Sequence, residues 1–246
     1  MRKFIVTMFL FLYLASSYAQ TELDTTITDI TYNDKSKLKR EDFFISEIFS
    51  DIWQNTPSQP ASLNTQTINR GYNAYIMLDN PIGNTNFSFA FGIGISTHNL
   101  YSNCIPFEVL DSSNKPTGVT EFLAIQDVYK YKKNKLCLFY SDIPVEIRFR
   151  TKNAGDNFKI AVGFKAGYLV QSHTKYEGDR FDNIEGTIKY KEYRIANIEK
   201  IRYGITGRIG YGRYNLTGFY SLTPLFSKEK GPDMFPISIG LAVTPF

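Results

Sequence analysis

The chain has 246 residues, 15% of them aromatic, and a formal charge of +4. Two cysteines exclude a disulfide-dense scaffold and a four-cysteine zinc site. The near balance of 28 basic and 24 acidic residues gives no ground for a nucleic-acid partner, and no motif calls for a cofactor or a metal.

In chain order, the first element reads as a secretory signal. Arg2 and Lys3 form a positive start, Phe4 to Leu14 is an apolar run broken only by Thr7, and Ser17-Tyr18-Ala19 is a small-x-small cleavage site. Cleavage after Ala19 makes Gln20 the first mature residue and lowers the formal charge by two, to +2. The apolar run is too short to span a bilayer as a helix. Residues 20–40 are rich in Thr and Asp and are expected to form a polar periplasmic lead-in. Residues 41–246 are expected to form a single folded domain.

The domain is a series of alternating segments. Phe43 to Trp53 comes first, although its Ile45, Ile48, Phe49 and Ile52 also fit a helix. Ile68 to Leu78 sets Ile68, Tyr72, Ala74, Ile76 and Leu78 on one side. In Asn86 to Thr97, Phe87, Phe89, Phe91, Ile93 and Ile95 oppose Ser88, Ala90, Gly92, Gly94 and Ser96. Period 2 is a strand signal; a helix would scatter these residues around its circumference.

Leu136 to Arg150 alternates with a slip. Leu136, Leu138 and Tyr140 are even, whereas Val145, Ile147 and Phe149 are odd. A β-bulge is expected at Asp142-Ile143-Pro144, where it would absorb one residue and accommodate the proline. Phe158 to Val170, Arg202 to Tyr211, Tyr214 to Leu222 and Ile237 to Thr244 complete the series.

The composition of the two faces separates a membrane barrel from a soluble one. Opposite the apolar face lie Gly, Ala, Ser and Thr interleaved with Lys and Arg, which suits the lining of a narrow closed barrel. The apolar face would then meet lipid. A soluble lipocalin-like barrel is the alternative with the same alternation. Connections alternate between short (80–85, 151–157, 212–213) and longer (101–135, 172–201, 223–235). Short periplasmic turns with longer external loops are the outer-membrane pattern, and an even strand number makes Phe43 to Trp53 the eighth strand. Phe87, Phe149, Phe158, Tyr211 and Tyr214 would ring the barrel at the short-turn end, with Tyr72, Tyr101, Tyr140, Tyr168 and Tyr203 farther up. The expected fold is all-β: an eight-stranded antiparallel transmembrane barrel of outer-membrane type with a filled lumen.

Tyr140-Ser141-Asp142-Ile143-Pro144-Val145-Glu146-Ile147-Arg148-Phe149-Arg150, together with the signal and the eight-strand plan, resembles the PorT-like outer-membrane β-barrel proteins of the Bacteroidetes. The family includes a type IX secretion accessory, so the resemblance implies a role beside an envelope or secretion complex. The final Phe246 resembles the C-terminal aromatic read by the barrel-assembly machinery, with the departure that Pro245 intervenes and Ile239, Leu241 and Val243 are one residue out of step.

Glu146, Arg148, Lys159, Lys165, Arg202 and Arg208 should project into the lumen, as a polar plug or as a basic anion site. Glu47 or Asp51 could supply further acidic partners. His98 and His173 are placed at the outer rim on inward parity, beside Ser96 and Ser172. Ser96, His98 and His173 define the enzymatic alternative, a lipid A-modifying enzyme with a His-activated Ser. Tyr129 to Lys135 is a basic-aromatic run that either contacts lipopolysaccharide phosphates or is a solvated loop face. Cys104 and Cys137, near the outer ends of neighbouring strands, are candidates for a disulfide in an oxidising compartment. The expectation is a non-enzymatic outer-membrane barrel in contact with lipid and lipopolysaccharide.

Overall fold

The computed structural model describes residues 43–54, 60, 62–151, 157–182 and 184–244. The signal peptide (1–19), the lead-in (20–40) and Phe246 lie outside the described residues. The strands are β1 Phe44–Gln54, β2 Asn69–Pro81, β3 Phe87–Tyr101, β4 Cys104–Leu110, β5 Pro116–Ala124, β6 Tyr131–Arg150, β7 Phe158–Asp179, β8 Thr187–Tyr193, β9 Ile201–Tyr211, β10 Tyr214–Ser221 and β11 Phe235–Val243. Among the described residues there is no helix.

Eight of these strands form one closed antiparallel sheet. Its order is β6-β3-β2-β1-β11-β10-β9-β7, and pairing of β6 with β7 completes the circle. The first segment is a strand because pairing on both sides overrides its helix-compatible spacing. Phe44 to Asp51 pairs with β2, and Ser46 to Gln54 with β11. Isolated propensity weighs little against two ladders of backbone hydrogen bonds.

The outward face is an apolar belt. Ile93, Ile147, Val162, Ile205 and Leu241 are all exposed, while the residues between them turn inward. At the short-turn end Phe87 pairs with Phe149, their rings 5.2 Å apart, and Phe158 with Tyr211, which faces Tyr214. Gly212, at φ 58°, takes the left-handed conformation that the two-residue turn 212–213 between β9 and β10 requires.

Glycine on the inward face makes room for large side chains on the neighbouring strand. Phe49 faces Gly71 and Gly240, Tyr75 faces Gly94, and Met77 faces Gly92. A Cβ at Gly94 would lie 2.2 Å from the Ala74 carbonyl oxygen and 2.3 Å from the Tyr75 ring.

The expected bulge at Asp142-Ile143-Pro144 is absent. Even residues of β6 point inward without a break from Asn134 to Arg150, and Asp142 remains in register with Gly94 and Gly167. Leu136, Leu138 and Tyr140 are therefore buried inside the barrel mouth, so Tyr140 is not part of the outer aromatic set. Their apolar character reflects a second core above the lumen, not contact with lipid. The register shift lies in β7, where Phe139 pairs with Gln171 but Tyr140 with Leu169, leaving Val170 as the extra residue.

A membrane barrel strand needs about 9–11 residues, yet β6 has 20 and β7 has 22. Phe158 to Val170 carries the belt on β7. Beyond it, Gln171 to Asp179 pairs with β6 and β8 in a three-stranded sheet that stands above the belt. The loop between β3 and β6 folds back as the β4–β5 hairpin.

Ile93→Arg should cost about 2–4 kcal/mol near the bilayer midplane, and less in vesicles of thinner bilayers. Gly94→Arg should carry a steric cost that does not change with thickness. Urea folding titrations in lipids of two chain lengths measure both, and the reverse pattern would invert the assignment of the faces.

Candidate functional site

Closing eight strands brings their inward polar residues within reach of one another. Among the described residues the buried carboxylates are Glu47, Asp51, Asp79, Asp142 and Glu146; the buried cations are Arg148, Arg150, Lys159, Lys165, Arg202 and Arg208. The expected lumen set is thus buried as a group, but five acids accompany its bases, so the lumen is close to neutral. Alternation along the sequence places Glu146 on the inward face and offers Glu47 and Asp51 as further partners, but it does not reveal Asp79, Asp142 or Arg150. Asp142 lies where a bulge is expected, Asp79 follows the last apolar residue of its strand, and Arg150 is the last residue of β6.

The charges are arranged in tiers. Toward the short turns, Glu146 accepts from Arg148 Nε at 2.9 Å and from Arg208 at 2.8 Å. Arg148 also lies 3.5 Å from Asp79, which accepts from Arg150 at 2.6 Å. At mid-height Asp142 meets Arg202 at 3.1 Å and Lys165 at 3.6 Å. Lys165 also donates to the Tyr75 hydroxyl at 3.0 Å, and Arg202 to Ser96 Oγ at 2.9 Å. The same two cations lie over aromatic rings: Arg202 4.0 Å from the Tyr140 centroid and Lys165 4.1 Å from that of Phe219. Glu47, between tiers, accepts from Asn73 at 2.7 Å and Thr217 at 3.3 Å. Each ion of these tiers has an opposite charge or a donor where water is scarce, which is the condition for burying it.

The uppermost tier contains His98. Its Nδ1 lies 2.8 Å from Asp51 Oδ2, and Ser238 donates to Asp51 Oδ1 at 2.6 Å. Among the described residues, none bonds to the buried His98 Nε2. An acid that orients His98 is therefore present, but a nucleophile on Nε2 is not. Ser96, two residues away, is held by Arg202 instead. His173 is absent from this cluster because the extra residue at Val170 reverses parity. It lies on the outward face, its ring 5.4 Å from Tyr193. The structure does not bring Ser96, His98 and His173 together.

Above His98 the mouth is covered. Trp53, Leu100, Leu136, Leu138 and Tyr140 from the strands pack with Leu63, Phe122, Ile198, Leu225, Phe226 and Met234 from the loops. Backbone bonds join these loops: Thr120 N to Lys230 O at 2.9 Å, Glu199 N to Leu225 O at 2.9 Å, and Ser227 N to Asn197 O at 2.9 Å. Three cavities among the lumen and mouth side chains measure about 10–20 Å³ each, room for a water molecule at most.

Cys104 and Cys137 are free thiols. Cys104 is buried in the cap core, whereas Cys137 pairs with Asn99 and His173 on the outward face. The wall of the barrel stands between them, which spacing along the chain does not disclose. No cluster of three metal-ligating side chains occurs among the described residues.

Two predictions follow from this arrangement. Asp142→Ala leaves Lys165 and Arg202 buried without their carboxylate and should cost about 3–5 kcal/mol; adding Lys165→Met should recover part of it, read as urea midpoints. Thiol labelling of the denatured, unreduced protein should modify both cysteines; a protein without free thiols would mean that a bridge forms after all.

Residues 51–227 match the family model described as outer membrane protein beta-barrel domain. No curated protein matches the chain. The match covers well over half of the sequence and agrees with the closed eight-stranded sheet and its apolar belt. The chain belongs to the outer-membrane protein β-barrel domain family.

Proposed function

We propose that this protein is a non-catalytic, non-conducting outer-membrane barrel with a structural or interaction role, as an accessory of an envelope or secretion complex of the PorT-like kind. The observation that carries the reading is the closed lumen. Tiers of ion pairs fill the barrel, loops cover its outer mouth, and the space left among the lumen charges admits no solute. Such a barrel offers its outer surfaces, not its interior, to other molecules.

The β4–β5 hairpin supplies one such surface. Its inner face, with Phe122 against Phe226, packs on the cap. Its other face exposes Phe107 and Leu123 above the lipid belt, and apolar side chains in that position suit a protein neighbour. The lipid A-modifying alternative has less support, because His98 is sealed beneath the cap and His173 lies on the opposite face of the wall.

Planar-bilayer recordings of the purified protein should show no stable ohmic channel; a reproducible large pore would overturn the closed-lumen reading. Extraction in mild detergent should recover the barrel with a larger assembly. Phe107→Ser with Leu123→Ser should release that assembly while heat-modifiable migration, the sign of a folded barrel, persists. A wild-type protein that always migrates as a free monomer would remove the accessory role.

A further inference from the structure

We propose that the outward face of the β6–β7–β8 sheet is a docking site for the phosphate groups of an outer-leaflet glycolipid, with Lys135, Lys175 and Lys191 as its ligands. The proposal does not depend on the protein partner considered above.

Register places the three lysines side by side. Lys135 pairs with Lys175 across β6–β7, and Lys175 with Lys191 across β7–β8. Directly opposed residues share a face of the sheet, with Cβ atoms about 4.5–5.5 Å apart, and like charges there repel. Among the described residues no carboxylate pairs with this row, and the Tyr101 ring, 5.2 Å from Lys135 Nζ, offsets only part of that repulsion. Glu177, one row farther out, is engaged by Lys189 at 3.6 Å and Lys132 at 4.0 Å. Lys135 donates to Asn99 Oδ1 at 2.7 Å, and Lys175 and Lys191 have no ion pair among the described residues. The three fields converge on His173 in the row beneath. Burial first, and then Lys191, Lys135 and Lys175 in turn, lower its pKa from the ordinary value.

Height identifies the anion. Lys135 lies two outward positions beyond Phe139, the last belt residue of β6. Lys175 lies the same two positions beyond Gln171, which pairs with Phe139. That is the level of the headgroups, where the outer leaflet presents phosphates. Below the row, from Tyr193 opposite His173, runs an open groove of about 840 Å³, lined by Tyr168, Val170 and Gln171 and by Arg194, Ile195 and Lys200. An apolar floor with cationic edges matches a molecule that joins acyl chains to a phosphorylated sugar. A small inorganic anion would need neither the floor nor the groove.

The test is binding of lipopolysaccharide to the purified, folded protein in detergent micelles, with two further probes: lipid A stripped of its phosphates, and inorganic phosphate. Wild type should bind lipopolysaccharide at least tenfold more tightly than the dephosphorylated lipid. Inorganic phosphate at millimolar concentration should not compete. Lys135→Gln, Lys175→Gln and Lys191→Gln combined should lose that preference. A control with Lys115→Gln, Lys228→Gln and Lys230→Gln removes the same charge elsewhere and should keep it. Lys175→Gln alone guards against a folding defect. Without lipid it should raise the temperature of the heat-modifiable transition, by relieving repulsion, while affinity falls. Equal loss in the control, equal binding of the dephosphorylated lipid, displacement by inorganic phosphate, or unchanged affinity in the triple variant would each overturn the proposal.

Discussion

Closure of the sheet is the constraint on which the rest of the structure depends. In hydrocarbon no water reaches a backbone N–H or C=O, so every such group must find a partner in the sheet, and an open edge is excluded. Here the last unpaired edges, those of β6 and β7, meet each other. Eight strands are just enough to enclose a column of side chains and too few to leave a channel. The inward residues must therefore fill a narrow space completely, and the polar ones must satisfy one another.

That requirement explains the composition of the lumen. Phe49, Tyr75 and Met77 fit because glycine stands opposite each of them. The ions fit because each carboxylate is shared, Glu146 between two arginines and Asp142 between Arg202 and Lys165. Such pairs are weak sources of stability, but the loss of one partner is costly. They act as a registration device: a one-residue slip of any strand would exchange its charges for the apolar belt and place them in lipid. The bulge at Val170 shows how parity can change at the upper edge of the belt, beyond which neither face is bound by that rule.

The cap follows from the same physics in a different solvent. Above the belt the outward face meets water, so apolar residues that continue along β6 turn inward and join the loops in a separate core. The barrel is thereby sealed at its outer end, and the surfaces open to other molecules are the hairpin, the sheet that rises beyond the belt, and the groove beside it.

The sequence by itself determined the eight barrel strands and the direction of most of their side chains, because period-2 alternation between lipid and a crowded lumen is written along each of them, whereas β4, β5 and β8 lie in stretches it reads as loops. It also determined that Glu146, Arg148, Lys159, Lys165, Arg202 and Arg208 share one face of their strands. The tertiary structure alone decided which residues meet. The pairing of Asp51 with His98 joins β1 to β3, and that of Asp142 with Arg202 joins β6 to β9, contacts set by closure and strand stagger. It also decided the meaning of Leu136, Leu138 and Tyr140. An apolar residue has the same letter whether it faces lipid or a buried core, and only the face it takes in the closed sheet distinguishes the two. The position of His173 depended on a single extra residue in β7, and that of Cys137 on the unbroken parity of β6; alternation carries no mark of either.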